Sequence, residues 1–188
     1  MGVDYDVAVH APDWPTMQAL QQCLDDRHWP VTIGSKREAA WSSPLETEPT
    51  RSGLWPVTFE DAPVELEASA VTLSPTVSFG YTLDRPPDAR ASGMQVFKLH
   101  PQDVFKPVDI NETLIRIGAK DATFGYGDRV LTLTFRSNIR EWRAGFFIMA
   151  GLILCFHGYG FELQAGSHGS SDYADDLAKQ VSNPKAWK

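Results

Sequence analysis

Ser137-Asn-Ile-Arg-Glu-Trp-Arg-Ala-Gly-Phe-Phe-Ile-Met-Ala-Gly-Leu-Ile-Leu-Cys-Phe-His-Gly158 decides the fold. Ser137 reads as an N-cap, because its hydroxyl can accept from an orphan N–H of the first turn. Gly158 reads as the stop, because glycine takes the left-handed conformation past a helix end without a Cβ clash. Between them, Ala144 to Phe156 carries no polar side chain. At 100° per residue, Phe146, Phe147, Ile148, Met149 and Leu152 point to every side. A helix apolar all round is buried all round, so the rest of the chain is expected to wrap it.

The apolar run of thirteen residues is short of the roughly 20 that a membrane span needs. With 188 residues, a single domain with a sizeable core is expected over 1–188. The formal charge of -7 is uneven: residues 1–83 hold twelve acids and four bases, residues 84–188 twelve acids and thirteen bases. No basic stripe appears, which argues against a nucleic-acid partner. Cys23 and Cys155 fall in expected helices at or near apolar faces; as buried thiols they would behave as small hydrophobes. Two cysteines make neither a disulfide framework nor a metal motif. Together with an N-terminus that lacks a signal-peptide pattern, this leads to the expectation of a cytoplasmic protein without a membrane segment.

Strands are expected where apolar residues alternate. Tyr5 to His10 is one; Asp13 would then cap a helix with Pro15 in its first turn and Met17, Leu20 and Leu24 on its inner stripe. Trp29 to Ile33 reads as a short second strand. Residues 34–56 show little periodicity, three prolines and two tryptophans, and read as one long loop. Trp41 and Trp55 either tether that loop to the core or anchor a partner. Val64 to Leu73 and Val77 to Leu83, around Ser74-Pro75-Thr76, read as a hairpin. Glu112 to Gly118 suits a strand or a short helix. Ala122 to Tyr126, the Gly127-Asp128 turn and Arg129 to Arg136 read as a second hairpin. Phe161 to Gln164 is a short strand, and a last helix begins at Ser171 or Asp172. The expected class is α+β: a mostly antiparallel twisted sheet packed around one central helix at about 138–157, with two further helices.

Chemistry is sparse. The histidines at 10, 28, 100, 157 and 168 show no metal-ligand spacing, and no phosphate loop, dinucleotide fingerprint or nucleophile elbow occurs. No catalytic, cofactor or metal residue is assigned. His168 before a helix start, His157 at a helix end and His10 at a strand end read first as capping or surface groups. Glu65 and Glu67 share a strand face, roughly 7 Å apart from the strand rise. With Glu46, Glu48, Glu60 and Asp61 they set six acids against Arg51 over residues 46–67. The expected partner-binding set is therefore Trp41, Trp55, Glu60, Asp61, Glu65 and Glu67.

The apolar helix ending in Gly158-Tyr-Gly160, followed by Phe161-Glu-Leu-Gln164-Ala-Gly166 and a helix from Ser171, resembles the C-terminal third of small bacterial proteins of unknown function. Toxin-immunity families are among these. The resemblance covers about fifty residues and brings no catalytic residue. Such families more often carry Asp-Pro-Gln where this chain has Glu162-Leu163-Gln164. It implies a toxin-neutralising or other binding role; with the missing catalytic constellation and the uneven charge, the expected function is a non-enzymatic inhibitor that meets a basic toxin through the acidic 46–67 region. The alternatives are a small hydrolase or sugar-active enzyme using His10, His168 or the Glu65/Glu67 pair, and a homo-oligomer that buries Trp41 and Trp55.

Overall fold

The computed structural model describes residues 2–34, 53–73, 80–82, 98–100, 107–136 and 138–183. The architecture is α+β. Strands β1 (Val3–Val9), β2 (Val31–Ile33), β3 (Gly53–Phe59), β4 (Ala62–Thr72), β7 (Arg129–Phe135), β8 (Tyr159–Glu162) and β9 (His168–Gly169) form an antiparallel sheet in the order β2-β3-β4-β7-β1-β8-β9. β5 (Gly80–Thr82) and β6 (Lys98–His100) pair separately. The helices are α1 (Met17–Asp26), α2 (Pro107–Arg116), α3 (Ile139–Cys155) and α4 (Ser171–Ser182).

α3 is the helix expected from the sequence, and Ala144 to Ile153 is buried without a break. One side of it meets Val7, Leu66, Ala68, Leu131, Leu133 and Phe135 of the sheet, and others meet Leu20 and Leu24 of α1 and Ala174, Leu177 and Val181 of α4. Glycines allow the closest approaches. A Cβ at Gly145 would lie 2.2 Å from the Phe135 ring, and one at Gly151 3.1 Å from Leu24. Both ends of α3 differ from expectation. Ser137 lies outside the described residues, and the N-cap is Asn138, whose side chain accepts from the Arg140 N–H at 3.0 Å. The left-handed residue at the far end is His157 (φ 52), not Gly158. Gly158 serves instead as a close-approach glycine, because a Cβ there would sit 2.8 Å from Val7 Cγ1.

Several other expectations are corrected. Thr16, not Asp13, caps α1 by accepting from the Ala19 N–H; Asp13 belongs to a short 3-10 turn, Ala11–Asp13. The expected 34–56 loop loses its C-terminal end, since β3 already begins at Gly53. β4 pairs with β3 and β7; of its expected hairpin partner, Val77 to Leu83, only residues 80–82 are among those described, and they pair with β6. The link between β3 and β4 is the two-residue turn Glu60-Asp61, with φ 48 and 60, the mirror-image turn that suits the strand twist. Residues 112–116 are helical, the end of α2, and Ala122 to Tyr126 forms no strand. α2 covers part of the opposite sheet face, where Ile110 and Leu114 pack with Ala8, Val130 and Phe161.

Cys23 and Cys155 are joined in a disulfide, with Cα atoms 6.4 Å apart. The expectation of free buried thiols is thus overturned. The pairing of α1 with the last turn of α3 brings together two residues 132 positions apart, a proximity that no local pattern announces. Among the described residues no helix is long and apolar enough to cross a membrane.

Candidate functional site

Residues paired across a sheet share a face, so the register places the candidates. Glu67 stands beside Thr134, and Thr134 beside Asp4; Ser69 stands beside Thr132, and Thr132 beside Asp6. This is the face away from α3. Thr134 donates to Asp4 at 2.6 Å, Thr132 to Asp6 at 2.5 Å and Arg136 to Glu67 at 2.7 Å. Glu65, Glu67, Thr134, Arg136 and Glu141 line a groove of about 160 Å³, three carboxylates against one guanidinium. Glu65 and Asp4 are exposed. Asp6 is buried. Burial pushes its carboxyl up to about 7 against the Thr132 hydrogen bond, and the nearby Asp4 and Glu162 charges add to the rise.

The other members of the expected set fall elsewhere. Trp55 is completely buried in the core, so it cannot act as a surface anchor or bury itself in a self-interface. Trp41, Glu46 and Glu48 lie outside the described residues. Glu60 is exposed, yet its carboxylate is held by the Arg143 guanidinium at 2.8 and 3.3 Å, while Arg143 Nε donates to Val181 O at 2.9 Å. Arg140 reaches the same turn, donating to Phe59 O at 2.8 Å. Glu60 is therefore tied to α3, away from Glu65 and Glu67. Asp61 is exposed beside it.

The histidines occupy separate places. His10 meets Asp128 through Nδ1 at 2.9 Å and lies against Phe124 with ring centroids 4.9 Å apart. Asp128, 7% exposed, also accepts the Ala11 and Gly125 N–H groups at 2.8 Å. Burial would raise its pKa; the Gly125, Ala11 and His10 hydrogen bonds outweigh this and hold the carboxyl below the usual range. The sequence offered His10 no partner, because Asp128 is 118 residues away. His168 takes part in a 2.7 Å hydrogen bond with the Tyr159 hydroxyl, in a cleft of about 510 Å³ that also includes Lys120, Asp121, Asp172 and Tyr173. His157 stands 3.5 Å from Asp13 at the surface. Asp4 shares the row of Glu67, and His10 lies six residues further on, just past the end of β1, hence about 20 Å away. His10, His168 and the Glu65/Glu67 pair do not form one constellation.

Glu162, from the segment that carries the resemblance, is 1% exposed and accepts from the Gln164 and Ala165 N–H groups at 2.5 and 2.6 Å. It shapes the β8–β9 turn. Among the described residues no group of three or more His, Cys, Asp and Glu side chains could hold a metal ion. No protein-family model matches the chain, and no curated protein or solved structure matches it either.

Proposed function

We propose that this chain is a non-enzymatic binding protein, an immunity-type inhibitor that neutralises a basic toxin through the acidic half of the sheet face away from α3. The observation that carries this reading is the groove between Glu65, Glu67 and Glu141. Its volume of about 160 Å³ is below the roughly 300 Å³ at which small-molecule pockets begin. It suits one lysine or arginine side chain from a partner set against Glu65 and Glu141, with Glu67 already paired with Arg136. Asp4 and the Thr134 hydroxyl extend the acidic surface toward β1. The binding set contracts accordingly to Glu65, Glu67, Asp4 and Glu141, with Asp61 at the margin and Glu60 retained for the fold.

Charge complementarity of this kind speeds association and makes it salt-sensitive. The test is a pull-down with the product of a neighbouring toxin gene, comparing the wild-type chain with Glu65→Lys/Glu67→Lys. The double variant should lose at least tenfold in affinity, and wild-type association should slow as salt rises. A complex of unchanged affinity would remove this face from the interface. The cytoplasmic expectation rested in part on free thiols, and the disulfide withdraws that part of its support.

A further inference from the structure

We propose that the Cys23–Cys155 disulfide is a redox latch, which holds α1 against α3 and thereby keeps the outer edge of β2 closed. α1 has ten residues, fewer than the ~12–15 at which an isolated helix becomes even marginal in water, so it depends on its attachments. Leu20 and Leu24 are buried against α3, closest to it at Gly151, Gln21 bonds the backbone of β2, and the Asp13–His157 pair in front of the helix is solvent-exposed, where such pairs add little. The disulfide is the covalent fastening, made to the last turn of α3. α4, which likewise buries three residues, lies along more of α3 than α1 does, and Arg143 of α3 bonds its Val181 carbonyl.

α1 in turn covers a strand edge. β2 pairs with β3 and, among the described residues, is the terminal strand of the sheet. On its outer side, Gln21 of α1 acts as a substitute strand. The Ile33 N–H donates to Gln21 Oε1 at 2.7 Å, and Gln21 Nε2 donates to Val31 O at 3.1 Å. An uncovered edge of this kind is a template for adding another strand. Displacing α1 removes Gln21 and opens it.

The step is thiol–disulfide exchange with a dithiol, small or proteinaceous. Cys155 is half-buried, whereas Cys23 is buried, so a thiolate attacks Cys155 Sγ and expels the Cys23 thiolate. The second thiolate of the reagent then displaces Cys155 from the mixed disulfide. The dithiol is oxidised to its own disulfide, and Cys23 and Cys155 each take up a proton. The closed state therefore belongs to an oxidising compartment.

Hydrogen exchange of the full chain, before and after dithiothreitol, tests the latch. Reduction should raise exchange at least tenfold for the α1 amides and for Ile33, and leave Val7, Leu131 and Ile148 protected. Cys23→Ser/Cys155→Ser should behave like the reduced protein. Gln21→Ala, with the disulfide intact, should raise exchange at Ile33 while α1 stays protected. Equal loss of protection everywhere would show a global staple in place of a latch, and no loss at α1 would show that packing alone holds the helix. Two titratable thiols in the unreduced protein would overturn the proposal at its first step.

Discussion

The two faces of the sheet are built from alternate residues of the same strands, and they do opposite things. Toward α3, β4, β7 and β1 present Leu66, Ala68, Leu131, Leu133, Phe135 and Val7, all essentially without solvent contact. Toward the other side, the residues between them are Glu65, Glu67, Ser69, Thr132, Thr134, Asp4 and Asp6. That second face is itself divided. At one end of the strands it is apolar and packs under α2 through Ala8, Val130 and Phe161, while the remainder is held by hydroxyl–carboxylate and guanidinium–carboxylate bonds. Apolar area removed from water stabilises at roughly 25 cal/mol per Å², whereas exposed polar pairs contribute about 0–1 kcal/mol each. The α3 face therefore carries the stability of the fold, and the acidic half of the other face can change without unfolding it.

Adjacent residues of β7 give the largest expected contrast. Leu133→Ala, on the α3 face, should cost about 2–5 kcal/mol through lost burial and the cavity left behind. Thr134→Ala, one residue on, should cost within about 1 kcal/mol, because it removes only an exposed hydrogen bond to Asp4. Urea denaturation of both variants measures the difference. Equal losses would mean that the acidic face is as much a part of the core as the other.

Asp6 tests the boundary between the two regimes. Its carboxyl is buried on the polar face, at about 7 in the folded chain against 3.8 in the unfolded one. The folded value is the higher, so the fold binds a proton that the unfolded chain gives up between about pH 4 and 7. The contribution of Asp6 is thus most favourable below pH 4, declines as pH rises toward 7 and is constant above that. At about 1.4 kcal/mol per unit, the whole change is at most about 4 kcal/mol. Asp6→Asn should flatten this part of the stability profile and raise the melting temperature at pH 8 more than at pH 4. Parallel profiles for the two proteins would mean that the buried carboxylate is ionised at no cost.

Gly145→Ala asks how closely the apolar face is packed. Its new methyl group would begin 2.2 Å from Phe135, a ring already set against Tyr5, Trp142 and Phe146. Overpacking of this kind costs about 1–3 kcal/mol, readable in the same denaturation experiment. An unchanged midpoint would show that the Phe135 ring can move aside.

What could be read from the sequence was what is periodic. Alternation in Tyr5–His10 and Val64–Ala70 marked strands and their inner faces, and the continuous apolar run marked α3, because burial writes itself locally at a spacing of 2.0 or 3.6 residues. What could not be read was pairing over distance. β7 lies between β4 and β1 through contacts such as Asp4 with Thr134, and the disulfide and the His10–Asp128 pair join residues 132 and 118 positions apart. Trp55 followed the same rule: its neighbours suggested a loop, but the register with Leu66 of β4 places it inside. The acids at 60 and 61 looked like part of one surface patch. A turn with both residues left-handed usually announces itself with glycine, and here there is none.

That turn offers the smallest effect and the finest test of the comparison. Glu60 and Asp61 both adopt positive φ, a conformation that disfavours side chains bearing a Cβ. Glu60 is compensated by the Arg143 guanidinium. Asp61→Gly should relieve the conformational cost and stabilise the fold by about 0.5–1 kcal/mol, partly offset by the greater freedom of glycine in the unfolded chain. Glu60→Gly relieves the same cost but leaves Arg143, 13% exposed in its side chain, without its carboxylate, and should yield no net gain. A gain at 60 equal to that at 61 would mean that the Arg143 pair contributes nothing, and Glu60 would return to the surface available to a partner.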